Sequence, residues 1–168
     1  MSSITIASLP RLSRESLASR LLSSPEASSS VAIIDVRGSD YIGGHIRGCV
    51  NVPSSDLDWR TPELVRTLKD KDMVVFHCAL SQQRGPAAAL RYLRERERLL
   101  GASGAGVDTK QTSGLEKEEQ DGAKEGVGKS KGQEVYILDG GFVKWQEKYG
   151  EDEKLTENYK KDIWEFGY

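Results

Sequence analysis

Sulfur, imidazole and long apolar runs are all scarce in this chain. Its 168 residues include two cysteines, Cys49 and Cys78, and two histidines, His45 and His77. Structural zinc sites need four suitably spaced ligands, so no metal is expected. No stretch approaches the roughly 20 apolar residues that a membrane-spanning helix needs. The opening Met1-Ser2-Ser3-Ile4-Thr5-Ile6 lacks a basic region followed by an apolar core, so no secretory signal is expected. A net charge of −2 gives no bulk attraction to nucleic acid or to an anionic membrane. Neither is expected as a partner, and cytoplasm and nucleus both stay open. Both cysteines are then expected as thiols. Cys49 reads as an inert buried thiol; the alternative is a recycling partner for Cys78.

What is present is one dense stretch, His77-Cys78-Ala79-Leu80-Ser81-Gln82-Gln83-Arg84-Gly85-Pro86. Five residues separate the thiol of Cys78 from the guanidinium of Arg84. The apolar run Met73-Val74-Val75-Phe76 precedes it, and a helical pattern from Ala87 to Arg98 follows. Pro86 suits a first helical turn, where its missing N–H costs nothing. A strand, tight loop and helix in that order point amide N–H groups and a positive helix end at one spot. The amides of Ala79, Leu80, Ser81, Gln82, Gln83 and Arg84 are the expected anion cradle. Arg84 can add two parallel hydrogen bonds to two oxygens. The same field favours thiolate over thiol, which suits Cys78 as a nucleophile.

The rest of the chain predicts an α/β domain with a mostly parallel central sheet and helices on both faces. The length suits a single domain, residues 1–168, with a real core. Ser13 reads as the cap of a helix bearing Leu17, Leu21 and Leu22, which Pro25 and the following serines should end. Val31 to Val36 is a continuous apolar run, apart from Asp35, of the kind that forms a buried parallel strand. Cys49 to Pro53 and Val135 to Leu138 read as short strands, and Pro62–Leu68 and Phe142–Tyr149 as helices. Residues 101–133 are rich in Gly, Ser, Lys, Glu and Asp without aromatics. They cannot bury enough surface to offset ordering entropy and read as a disordered insertion. Leu155, Tyr159, Ile163 and Phe166 recur at near-helical spacing, so residues 153–168 read as a C-terminal helix. Trp164 and Tyr168 are alternatives for a substrate surface.

Three motifs in order carry a family resemblance. Ile34-Asp35-Val36-Arg37, Tyr41-Ile42-Gly43-Gly44-His45-Ile46-Arg47-Gly48 and Val50-Asn51-Val52-Pro53 resemble the opening of rhodanese-like domains. Asp139-Gly140-Gly141-Phe142 with Trp145 resembles their closing motif. The five-residue loop is similar to that of the M-phase inducer phosphatases and the fungal and plant arsenate reductases. Sulfurtransferases of the family carry a shorter loop, because a sulfane sulfur needs a smaller ring of amides than phosphate or arsenate.

The resemblance implies a cysteine phosphatase of the protein-tyrosine or dual-specificity type. Its substrate would be a phosphorylated protein or a small phosphomonoester. The alternative is an arsenate reductase that needs no resident cofactor but draws on external glutathione or glutaredoxin. Sulfur transfer and non-catalytic phosphate binding fit less of the sequence. This chain has Ala79 and Gln83 where the cell-cycle enzymes carry glutamates, and Val36 where they often carry a second cysteine. Gln83 cannot protonate a leaving group. Asp56 and Asp58 are carboxylates that could approach the site, although a solvated turn is the simpler reading for both. His77 is expected to fix the loop, Asp35 and Arg37 to pair at the sheet edge and Ser81 to assist the thiolate; Arg47 reads mainly as structural, with a positive surface for an anionic substrate as the alternative. His45 should be hydrogen-bonded in a turn, and Gly140 and Gly141 should serve a turn of positive φ.

Overall fold

A computed structural model describes residues 4–113 and 132–166. The four expected strand runs and one unforeseen strand, Arg11–Leu12, form five parallel strands in the order β1-β6-β5-β2-β4, with β1 at Arg11–Leu12, β2 at Val31–Asp35, β4 at Val50–Asn51, β5 at Met73–His77 and β6 at Glu134–Leu138. Central β5 pairs with β2 from Val31↔Met73 to Asp35↔His77 and with β6 from Met73↔Glu134 to Phe76↔Ile137. Both faces of these strands are covered, so β2 and β5 are buried at every position.

Alternate residues go to opposite faces. Ile34, Val74 and Phe76 point to one core with α3 (Leu57–Leu68) and α4 (Arg84–Ser113). Ile33, Met73 and Val75 point to the other, with α1 (Arg14–Ser23) and α5 (Gly141–Tyr149). The expected α/β architecture with helices on both faces is therefore what forms. Its mouth lies beyond the carboxyl ends of the strands, where ligands bind in open parallel sheets.

Several local expectations need correction. The first helix ends at Ser23, before Pro25, as expected, but Pro25 then opens a second short helix, α2 (Pro25–Ser29), which Ser24 caps by accepting from the Ala27 amide. Helix α3 starts at Leu57 rather than Pro62 and carries Pro62 inside it. Helix α4 runs to Ser113, into the stretch read from composition as disordered. Extending a helix already anchored by its buried turns is far easier than nucleating one. Residues 114–131 of that stretch lie outside the described residues.

The C-terminal segment is not one helix. Thr156–Glu157 forms β7, paired antiparallel with β3 (His45–Ile46), and the helix shrinks to α6, Lys161–Phe166. The apparent helical stripe fails because its members do different jobs. Leu155 is buried ahead of a strand, whereas Phe166 is 81% exposed. Asn158 breaks the run with a positive φ of 56°. Among the described residues no helix is long and apolar enough to cross a membrane.

Candidate active site at the carboxyl end of β5

Strand β5 delivers His77 and then Cys78 to the floor of a tight loop, and α4 takes over at Arg84. Cys78 is buried, and its Sγ accepts two backbone amides, from Ser81 and Gly85, each at 3.3 Å. The amides of Ala79, Leu80, Gln82 and Gln83 donate to no other group among the described residues. Leu80, Gln82 and Gln83 are exposed, so their amides are open to an incoming group from solvent. Successive amides left without a protein partner in a tight loop at a helix start are the kind of backbone that binds anions.

The loop is held from three sides. The Phe142 amide donates to the Cys78 carbonyl and the Val143 amide to the Ala79 carbonyl, both at 3.0 Å. Gly140 and Gly141 have φ of 81° and 62°, the positive values the turn was expected to need. At Gly141 a Cβ would stand 2.3 Å from the Ala79 carbonyl oxygen. Gly141→Ala is thus expected to lower stability by more than about 1 kcal/mol and to weaken anion binding, checked by melts with and without phosphate. Arg11, on the edge strand β1, donates to the Ser81 carbonyl at 3.1 Å and lies 3.7 Å from Asp139. Ser81 needs that tether, since its φ is 58° and its buried hydroxyl has no hydrogen-bond partner.

Behind the loop lies a fully buried ion pair. Arg37 Nε reaches both Asp35 oxygens at 3.0 and 3.1 Å, and Nη2 reaches Oδ2 at 2.8 Å. Arg37 also donates to the Gly44 carbonyl at 2.9 Å and lies between the rings of Phe142 and Tyr41. Asn51 Nδ2 ties the Asp35 and Arg37 carbonyls at 3.0 Å each. The expected pair therefore exists, and it shapes the segment 38–44 that leads back to the site.

His77 Nδ1 lies 3.1 Å from the Cys78 carbonyl. A carbonyl only accepts, so Nδ1 carries the proton. Its Nε2 lies 3.7 Å from Asp35, but this is no ion pair. Burial drives the imidazole toward its neutral form, against the pull of Asp35. The unfolded chain takes up a proton near pH 6.5 that the folded one refuses, so acidification through that range favours unfolding. His77→Asn should lose less Tm than the unaltered protein between about pH 7.5 and 5.5.

Other expected residues lie elsewhere. Asp58 pairs with Arg91, a helix away from the loop, and Asp56 belongs to a short 3-10 turn. Arg47 is engaged by Glu157 and the Glu153 carbonyl. His45 sits in β3 with Nε2 3.0 Å from Glu157, so a strand replaces the expected turn. Trp164 donates to the Gly43 carbonyl, and Tyr168 lies outside the described residues. Burial pushes the Cys49 thiol up to about 12, which makes it a poor attacking group. Among the described residues no cluster of His, Cys, Asp and Glu is arranged to hold a metal ion.

The residue that sequence reasoning missed is Asp40. Its Oδ1 and Oδ2 take Arg84 Nη1 and Nη2 at 2.9 and 2.7 Å. Its place between Arg37 and Tyr41, inside the opening motif, was the available signal.

The model of the rhodanese-like domain matches residues 16–148. The chain belongs to the rhodanese-like family. Among its relatives is the CDC25-like phosphatase YCH1 of Saccharomyces cerevisiae, 35% identical over 143 residues, with 79% of this chain and 76% of that protein covered. The dual specificity phosphatase ibp1 of Schizosaccharomyces pombe is 33% identical over 154 residues, covering 90% of this chain and 99% of ibp1. Among solved structures, the As–Sb reductase from Leishmania major superposes with a TM-score of 0.62 at 26% identity. That match covers 86% of this chain and 81% of the reductase.

Proposed function

We propose that this rhodanese-like protein is a cysteine-dependent phosphatase of the dual-specificity type. The observation that carries the reading is a buried sulfur at the floor of a tight loop that accepts two backbone amides, with four more amides of that loop donating to no group among the described residues. Cys78 attacks phosphorus in line, and the S–P bond forms as the ester oxygen departs. The amides of Ala79 to Arg84 and the guanidinium of Arg84 take up charge on the three non-bridging oxygens. Water then cleaves the cysteinyl-phosphate and returns the thiolate. Ser81, buried beside the sulfur with an unpartnered hydroxyl, assists the thiolate. His77, Asp35 and Arg37 support the loop without touching substrate.

No carboxylic acid stands in the loop, because Ala79 and Gln83 occupy the positions where related enzymes carry glutamates. Substrates with good leaving groups, such as aryl phosphates, should turn over best. The same absence supports a second reading, arsenate reduction. There Cys78 displaces hydroxide from arsenate to form an S–As bond. Glutathione or glutaredoxin then supplies two electrons, ends as disulfide and releases arsenite. No resident cofactor is needed in either scheme. Two free thiols fit a reducing compartment such as the cytoplasm or nucleus.

Both activities can be measured on one preparation, aryl phosphate in one assay and arsenate with glutathione and glutaredoxin in the other. Phosphate release that exceeds arsenite formation supports the phosphatase. Arsenite alone makes the second reading the correct one. Arg84→Lys should reduce either activity by about a hundredfold or more, because a point charge cannot replace the bidentate fork.

A further inference from the structure

Arg84 is the guanidinium expected to hold the oxyanion, yet both of its terminal nitrogens are in bidentate contact with Asp40, at 2.9 and 2.7 Å. The carboxylate does not depend on Arg84 for its position. Its Oδ1 also accepts the Gly38 amide at 3.0 Å, and its backbone carbonyl lies 3.5 Å from Arg37 Nη1. The segment that bears it is anchored at the far end too. The Gly43 carbonyl accepts from Trp164 Nε1 at 2.9 Å and from the Lys160 amide at 3.1 Å. Asp40 is therefore a fixed anion. Arg84 is the movable partner, on a flexible stem at the first position of α4.

The pair is also accessible. The side chains of Arg84 and Asp40 are 37% and 28% exposed, so an exchange of partners needs no rearrangement of the core. Water screens the pair at this exposure, so it is weaker than the same bidentate contact would be if buried. A dianion seated on several amides can outcompete one carboxylate for the same fork. The guanidinium thus stands between two anion sites, one built into the protein and one formed by the Cys78 loop.

We propose that Asp40 is a gate: an internal counter-anion that holds Arg84 until a tetrahedral oxyanion in the Cys78 loop displaces it. The proposal rests on the reading of that loop as an oxyanion site. It gives Asp40 a role in ligand affinity that the chemistry of Cys78 does not supply. Oxyanion binding includes a competition step, and the empty site keeps its strongest cation neutralised.

The test is the affinity for inorganic phosphate and tungstate, measured by calorimetry on the whole chain, which needs no turnover. Asp40→Asn keeps the shape of the side chain and removes its charge. It should bind both anions about tenfold more tightly than the unaltered protein. Asp40→Glu, which restores the charge, should bind more weakly than Asp40→Asn. Should Asp40→Asn fail to fold, the unaltered protein still gives an answer. The Asp40 carboxyl carbon resonance should move on saturation with phosphate as Arg84 leaves. Unchanged or weaker binding in Asp40→Asn, with the unaltered protein still binding, overturns the gate alone. A carboxyl resonance that stays fixed at saturation does the same. No anion binding in any form overturns both the gate and the oxyanion site.

Discussion

Replacing Cys78 by serine is expected to remove turnover of both aryl phosphate and arsenate by more than about a thousandfold. The cradle itself should survive. The amides of Ala79, Leu80, Gln82 and Gln83 belong to the backbone, and the loop is pinned by Phe142, Val143 and Arg11 rather than by the sulfur. Serine is close in size and can accept the Ser81 and Gly85 amides in place of Sγ. Its hydroxyl stays protonated, so it lacks the nucleophile. Phosphate should therefore still bind Cys78→Ser with an affinity within about a factor of ten of the unaltered protein. Steady-state assays and calorimetry on one preparation separate the two quantities. Retained turnover would remove Cys78 from the mechanism. Lost binding would show that the sulfur holds the loop open.

The largest expected effect on stability comes from the pair behind the loop. Asp35 and Arg37 are wholly buried, and their side chains are bound to each other through three contacts of 3.1 Å or less. Removing one partner leaves the other charged and dry, which typically costs about 3–5 kcal/mol. Asp35→Asn is thus expected to lower stability by about that much, read from denaturant midpoints at constant slope. Arg37→Met should do likewise and should also loosen residues 38–44, because Arg37 donates to the carbonyls of Asp40, Ile42 and Gly44. If the pair matters only as packing, the double replacement Asp35→Leu with Arg37→Met should recover much of the loss. If residues 38–44 depend on the charge, anion affinity stays altered even where stability returns.

The fold was legible where the signal is local and continuous. Met73 to Phe76, then Cys78, then Pro86 read as strand, loop and helix, because a buried parallel strand needs an unbroken apolar run and a helix start tolerates proline. The Ser13 cap and the positive φ at Gly140 and Gly141 were legible for the same reason. Distant pairings were not. Thr156 and Glu157 form a strand only because His45 and Ile46 lie opposite them, which overrides the helical spacing from Leu155 to Phe166. Arg11 reaches the Ser81 carbonyl only because β1 joins the sheet beside β6. Asp40 meets Arg84 only through the fold of residues 38–44 around Arg37. No periodicity in the chain announces any of these contacts.

In the proposed reaction Cys78 forms a covalent bond to phosphorus. Mixing the protein with an aryl phosphate, quenching within the first turnover in denaturant at neutral to alkaline pH, where the S–P bond survives, and mapping the peptides by mass spectrometry tests this directly. One phosphate is expected on the peptide that carries Cys78, present at early times and absent from Cys78→Ser. Phosphate release with no adduct at Cys78, or an adduct on another residue, would contradict it.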